Sequence, residues 1–165
     1  MNKFKTEIKW GLIFTCGIML WMLLERLMGL HSTHIDKHAT YSNLFAIVAV
    51  VIYVFALRDK RDQDFSGKMT YWQGLKSGVI ISIIVGLLTP GVQLVSAFVI
   101  SPHYFENAIR HGVANGLATL PEAEAYFNVR HYILVSTISA PMMGVVTSAV
   151  VAFFLKSKPE VTSEA

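Results

Sequence analysis

His31, His34 and His38 are spaced three and four residues apart, which on a continuous helix puts three imidazoles on one face. Neutral imidazoles ligate Zn, Cu, Ni or Fe, and Glu25 or Asp36 could complete the set, so a divalent metal is the cofactor this pattern suggests. Ile35 follows His34, which removes the general base of the H-E-x-x-H motif and with it a metalloprotease. The other readings of the same rings are a proton-responsive surface, since imidazole titrates near neutrality, and plain interfacial histidines. Gly29 and Ser32-Thr33 could break the helix and scatter the three rings. His103 and His111, eight residues apart, would lie about 12 Å apart along a helix, too far to share an ion. No Ser-His-Asp order, phosphate-binding glycine loop or carboxylate pair marks a catalytic site, so the chain reads as a non-enzyme.

A second group of polar residues lies inside apolar stretches. Glu25, Asn43, Gln93 and Thr137, one per stretch, fall roughly 6 to 11 Å from the same boundary when counted at 1.5 Å per residue. A carboxylate at such depth is costly and faces a bundle interior or a wet cavity. This suggests a ligand-binding pocket of Glu25, Asn43, Gln93 and Thr137. Pro90 and Pro141 fall at one depth in antiparallel spans, and each frees a carbonyl four residues earlier, at Gly86 and Thr137. Thr89, Gly91, Ser136 and Ser139 surround these expected kinks.

The elements that must hold these residues are membrane spans. Of the 165 residues, 53% are hydrophobic and 15% charged, with mean hydropathy +0.49, too apolar for a soluble domain. Four stretches have the roughly 20 apolar residues a bilayer requires, about 10–30, 39–57, 74–100 and 132–155. The expected fold is a single all-α, four-helix transmembrane domain over 1–165. Lys3, Lys5, Lys9, Arg58, Lys60, Arg61, Lys68, Lys76, Lys156 and Lys158 fall on one side of it, and only Arg26, Lys37, Arg110 and Arg130 on the other. The positive-inside rule puts both termini in the cytoplasm and all six histidines outside. The basic pI near 9.0 then reflects topology, and nucleic acid is not implied. Trp10, Tyr71, Trp72 and Tyr132 sit where interfacial aromatics belong. Cys16, inside the first span, can form no internal disulfide.

The long external segment is expected to form two short helices. One, about 102–115, has Ser101 as cap, Pro102 at its first position and a stripe of Phe105, Ala108, Ile109, Gly112 and Val113. The other, about 120–131, starts at the capping-box pair Thr119 and Glu122 and runs on into the fourth span. The tail 156–165 is polar and expected to fray.

Small residues recur every four positions in the third span, including Gly78, Ser82 and Gly86, and in the fourth, including Ala140, Gly144 and Ser148. Such stripes let backbones approach closely, either between these two spans or between copies or partners. No internal repeat is visible, which argues against an inverted-repeat transporter.

The run Trp21-Met-Leu-Leu-Glu25-Arg-Leu-Met-Gly29-Leu-His31, then His34-Ile35-Asp36-Lys37-His38, Gly67-Lys68-Met69-Thr70-Tyr71 and Glu122-Ala-Glu-Ala-Tyr126-Phe127, resembles a family of small four-span bacterial inner-membrane proteins classed as a domain of unknown function. The resemblance spans nearly the whole chain and implies the fold and the membrane, with no activity and no catalytic residues. Two functions then compete. One is a small ligand, cation or proton bound in an outward-facing polar pocket, with the histidines at its mouth. The other is an accessory or assembly subunit that docks a membrane protein, or a second copy, through the small-residue stripes.

Overall fold

Apolar runs of this length satisfy their backbone polar groups internally, and they do so as helices. The structure, a computed structural model, describes residues 4–157. Helix α1 covers Lys5–Leu27, α2 His38–Ser42, α3 Phe45–Asp64, α4 Tyr71–Val95, α5 Tyr104–Ala114, α6 Leu120–Tyr126 and α7 Val129–Leu155. A 3₁₀ turn, Ile35–Lys37, leads into α2, and a π turn, Ser96–Ile100, extends α4. Four segments, Lys5–Leu27, Ile35–Asp64, Tyr71–Ile100 and Val129–Leu155, are long and apolar enough to cross a membrane. Large apolar side chains on their outer faces match that reading, with Leu87 76% and Phe154 78% exposed. The tail expected to fray lies outside the described residues beyond Ser157.

Helix boundaries follow local chemistry. At the start of α4 the Thr70 N–H donates to Gln73 Oε1 (2.8 Å) and the Gln73 N–H to Thr70 Oγ1 (3.3 Å), a reciprocal capping box. In α6 Glu122 accepts from the Thr119 N–H at 2.8 Å and its hydroxyl at 2.7 Å, which holds this carboxyl below the usual carboxylate range. The α6 helix does not run into α7. Asn128 is extended (φ −147°, ψ 157°) and accepts the His131 N–H at 2.9 Å, so it stops one helix and caps the next. The α5 helix begins at Tyr104, two residues beyond Pro102, with His103 as its cap residue.

The central contact is between α4 and α7, the most extensive in the molecule. Gly78 faces Ser148, Gly86 faces Pro141, and Gly144 faces Ser82 and the Tyr53 hydroxyl. Without hydrophobic drive between helices in lipid, such close backbone approach supplies the dispersion contact that holds them. Tyr53 reaches from α3 with its hydroxyl 2.6 Å from Ser82 Oγ, and Ser82 in turn donates to the Gly78 carbonyl (2.8 Å). Around this pair Phe14, Ala56, Leu57, Ile81, Val85, Val151 and Ala152 form the core.

A side chain at Gly78 would overlap Ser148, so Gly78→Leu must push α4 from α7. Overpacking of this kind costs about 1–3 kcal/mol. Gly91 faces open space, and Gly91→Ala is expected to change stability by less than about 0.5 kcal/mol. Thermal or denaturant melting of the two variants in one detergent checks the contrast.

Candidate functional site

Glu25 lies in the last turn of α1, and the chain then reverses sharply. Gly29 adopts φ +74°, a conformation that a Cβ would strain, and its carbonyl accepts from Ser32 and His34. This reversal breaks the helix that the histidine spacing presupposes. It folds His31 back over Glu25 and turns His34 away.

Glu25 is 3% exposed and its carboxylate is saturated with partners. Oε1 accepts from Trp21 Nε1 at 2.8 Å and from Ser42 Oγ at 2.5 Å. Oε2 faces His31 Nε2 at 3.3 Å and His38 Nε2 at 3.7 Å. The far nitrogens of both rings meet hydroxyls, His31 Nδ1 with Ser101 Oγ at 2.6 Å and His38 Nδ1 with Tyr104 OH at 3.4 Å. Tyr104 OH also lies 3.1 Å from Tyr132 OH. Burial raises the Tyr104 phenol well above its ordinary pKa, so it stays a neutral hydroxyl. The rings of His31, His38 and Tyr104 pack in a triangle with centroids 5.0–5.1 Å apart.

Five parts of the fold therefore meet at one point. Glu25 and Trp21 come from α1, His31 from the reversal, His38 and Ser42 from α2, Ser101 from the end of the π turn, and Tyr104 from α5. Asn107 of α5 donates to the His31 carbonyl (3.0 Å), and Arg26 donates to the Val99 carbonyl (3.2 Å), tying the reversal to its neighbours. A cavity of about 210 Å³ opens onto the cluster, walled by Ile18, Met22, Phe45 and Phe105, with Gln93 and Ser96 at its side.

The residues named from sequence divide accordingly. Gln93 lines the cavity of Glu25. Asn43 does not; it lines two neighbouring grooves, one walled by α5 and α6 and one by α1, α3, α4 and α7. Thr137 Oγ1 is buried, has no hydrogen-bond partner among the described residues, and is not among those lining the cavity. Depth along a helix is common to these residues, but azimuth separates them. His34 is exposed, beside Thr33 and the Met28 carbonyl. His103 pairs with exposed Glu106, His111 with Asn115, and His131 stacks on Tyr126. Pro90 and Pro141 lie within continuous α4 and α7, where Thr89 donates to the Val85 carbonyl and Ser136 to the Tyr132 carbonyl. Asp36 is exposed and outside the cluster.

Glu25, His31 and His38 each offer one ligand atom, all within 4.8 Å of one another. A family model described as a protein of unknown function, DUF4199, matches residues 9–157. The chain belongs to that family. The match takes in every residue of the cluster and all but the first few residues of α1. No curated protein and no solved structure matches the chain.

Sequence reasoning missed four contributors, Trp21, Ser42, Ser101 and Tyr104, and one distant feature, a buried ion pair between Glu7 and Lys60 (2.7 Å). The i, i+4 relation of Trp21 to Glu25 was a usable signal; the rest depend on how the chain reverses.

Removing one donor from a buried carboxylate costs about 1.5–3 kcal/mol. Ser42→Ala is expected to destabilise by that amount, whereas His34→Ala should change stability by less than about 0.5 kcal/mol. Chemical unfolding monitored by circular dichroism distinguishes them.

Proposed function

We propose that the chain is a single four-span inner-membrane domain, both termini cytoplasmic, that binds a divalent transition-metal ion such as zinc through Glu25, His31 and His38. Helices α5 and α6 then lie on the outer side, and the centre sits at the outer boundary of the membrane. The observation that carries the reading is the orientation of the two rings. His31 turns Nε2 toward Glu25 Oε2 (3.3 Å) and His38 turns Nε2 between that oxygen (3.7 Å) and Ser42 Oγ (3.2 Å), while Nδ1 of each ring is engaged by a hydroxyl. Metal-binding histidines are held in this manner, with the far nitrogen hydrogen-bonded so that tautomer and ring plane are fixed.

Ligand atoms about 2.0–2.2 Å from a tetrahedral ion are roughly 3.3 Å apart. The two histidine-to-carboxylate separations, 3.3 and 3.7 Å, are near that value, and all three ligand atoms lie within 4.8 Å of one another. Two imidazoles and one carboxylate leave a coordination position free, and the cavity beside Gln93 can admit a water or a small exogenous ligand to it. Imidazole with carboxylate suits Zn, Fe, Co or Ni better than Ca or Mg, which prefer oxygen alone.

The docking reading has less support. Gly78, Ser82, Gly86, Gly144 and Ser148 face each other, Pro141 or Tyr53 inside the α4–α7 contact, and Ala140 lines a groove between the spans. Lipid then covers the outer faces of the spans.

Isothermal titration of chelator-treated protein with Zn²⁺, and visible spectra with Co²⁺, test the reading. One ion per chain is expected, with a hundredfold or greater loss of affinity in Glu25→Gln, His31→Ala and His38→Ala. The His34→Ala and His103→Ala variants should bind as the parent does. Absence of stoichiometric binding, or equal losses in His34→Ala, would rule the centre out.

A further inference from the structure

Glu7 lies in the first turn of α1, about 27 Å along the helix from Glu25. It is 2% exposed. Its Oε1 takes Lys60 Nζ at 2.7 Å and Ser77 Oγ at 3.0 Å, and Lys60 is also paired with Asp64. Oε2 is buried and has no partner among the described residues. A buried carboxylate oxygen left without a donor is costly, so this one marks a place where a donor is missing. The oxygen belongs to a residue lining a cavity of about 210 Å³, together with Lys60, Ser77, Gln73, Lys76 and Phe65.

The chemistry of the missing donor can be narrowed. A metal ion is unsuited, because the Lys60 ammonium already sits on this carboxylate and no second carboxylate lines the cavity. An anion alone would leave Oε2 unsatisfied and add repulsion from Glu7. Of the charged groups lining the space, Glu7 is negative and Lys60 and Lys76 are positive; Asp64, outside the lining, pairs with Lys60, which leaves one buried acceptor, Glu7 Oε2, and one cation, Lys76, for a guest to satisfy. Lys76 is exposed at the rim, with no carboxylate at ion-pair distance among the described residues. A guest with an N–H donor at one end and an anion at the other satisfies both. The cavity also lies at the end of the bundle that carries exposed Phe4 and Trp72, where apolar helix gives way to polar turn.

We propose that this cavity holds the aminoethyl phosphate headgroup of phosphatidylethanolamine, its ammonium donating to Glu7 Oε2 and its phosphate paired with Lys76. The guest is selected by its N–H groups. A trimethylated choline headgroup has the same charge but nothing to donate, and a glycerol headgroup has no cation for Glu7.

The test uses full-length, delipidated protein in mixed micelles containing dioleoyl phosphatidylethanolamine, phosphatidylcholine or phosphatidylglycerol, with bound lipid counted by native mass spectrometry. Phosphatidylethanolamine is expected to bind at least tenfold more tightly than either of the others. Lys76→Ala should weaken it about tenfold without lowering the melting temperature of the lipid-free protein. Glu7→Gln should bring the ethanolamine-to-choline ratio toward one; if that variant does not fold, the parent's lipid preference and Lys76→Ala decide. Equal binding of the ethanolamine and choline lipids by the parent, or no effect of Lys76→Ala, overturns the proposal and leaves water as the occupant.

Discussion

A carboxylate inside an apolar bundle must be satisfied from every side, and Glu25 imposes that condition on the surrounding chain. Desolvating such a group without partners costs more than a typical single contact returns, so its neighbours are not free to be elsewhere. Trp21 and Ser42 take one oxygen, His31 and His38 face the other, and those rings draw in Ser101 and Tyr104. One charged group thus fixes the reversal after α1, the short α2, the π turn at the end of α4 and the seating of α5. The Tyr104–Tyr132 contact carries the same network to the start of α7.

Behind this cluster stands a stiffer unit. The small residues of α4 and α7 bring two backbones together along much of their length, and Tyr53 of α3 joins them through Ser82. Ser101 and the turn before it follow directly from α4, so the far side of the centre rests on the best-packed pair in the molecule. The near side rests on α1, whose two ends each bury a carboxylate. Glu25 is held among imidazoles and hydroxyls, Glu7 beside a lysine. Identical side chains thereby acquire different chemistry: a carboxylate grouped with two imidazoles, the proposed donor set for a metal, at one end, and a salt-bridged carboxylate with one oxygen to spare at the other.

Much of the architecture was legible in the residues because it rests on length and hydropathy alone. Four apolar runs and the Thr119–Glu122 pair each state a requirement that the folded chain meets locally, and the small-residue stripes state one that two spans meet by packing on each other. The site was legible only in part. Glu25 stood out as a charge in an apolar run, and Gln93 shares its cavity, but Asn43 and Thr137 have the same depth at other azimuths. Histidine spacing suggested three rings on one face, which holds only while the helix continues; Gly29 ends it and leaves two rings on the carboxylate and one in the open. Ser101 and Tyr104, some seventy residues away in sequence, carry no signal in the vicinity of His31 and His38. Contacts made across a chain reversal have no fixed spacing by which to read them.

X-ray absorption at the zinc edge, on protein loaded with one equivalent, bears on the centre most directly. A first shell of nitrogen and oxygen only, at about 2.0–2.2 Å, with the outer-shell scattering of two imidazoles, is expected. That scattering should vanish when His31 and His38 are both replaced and persist when His34 is. A shell without imidazole, or one unchanged in the His31, His38 double variant, would contradict the assignment of Glu25, His31 and His38 as a metal site.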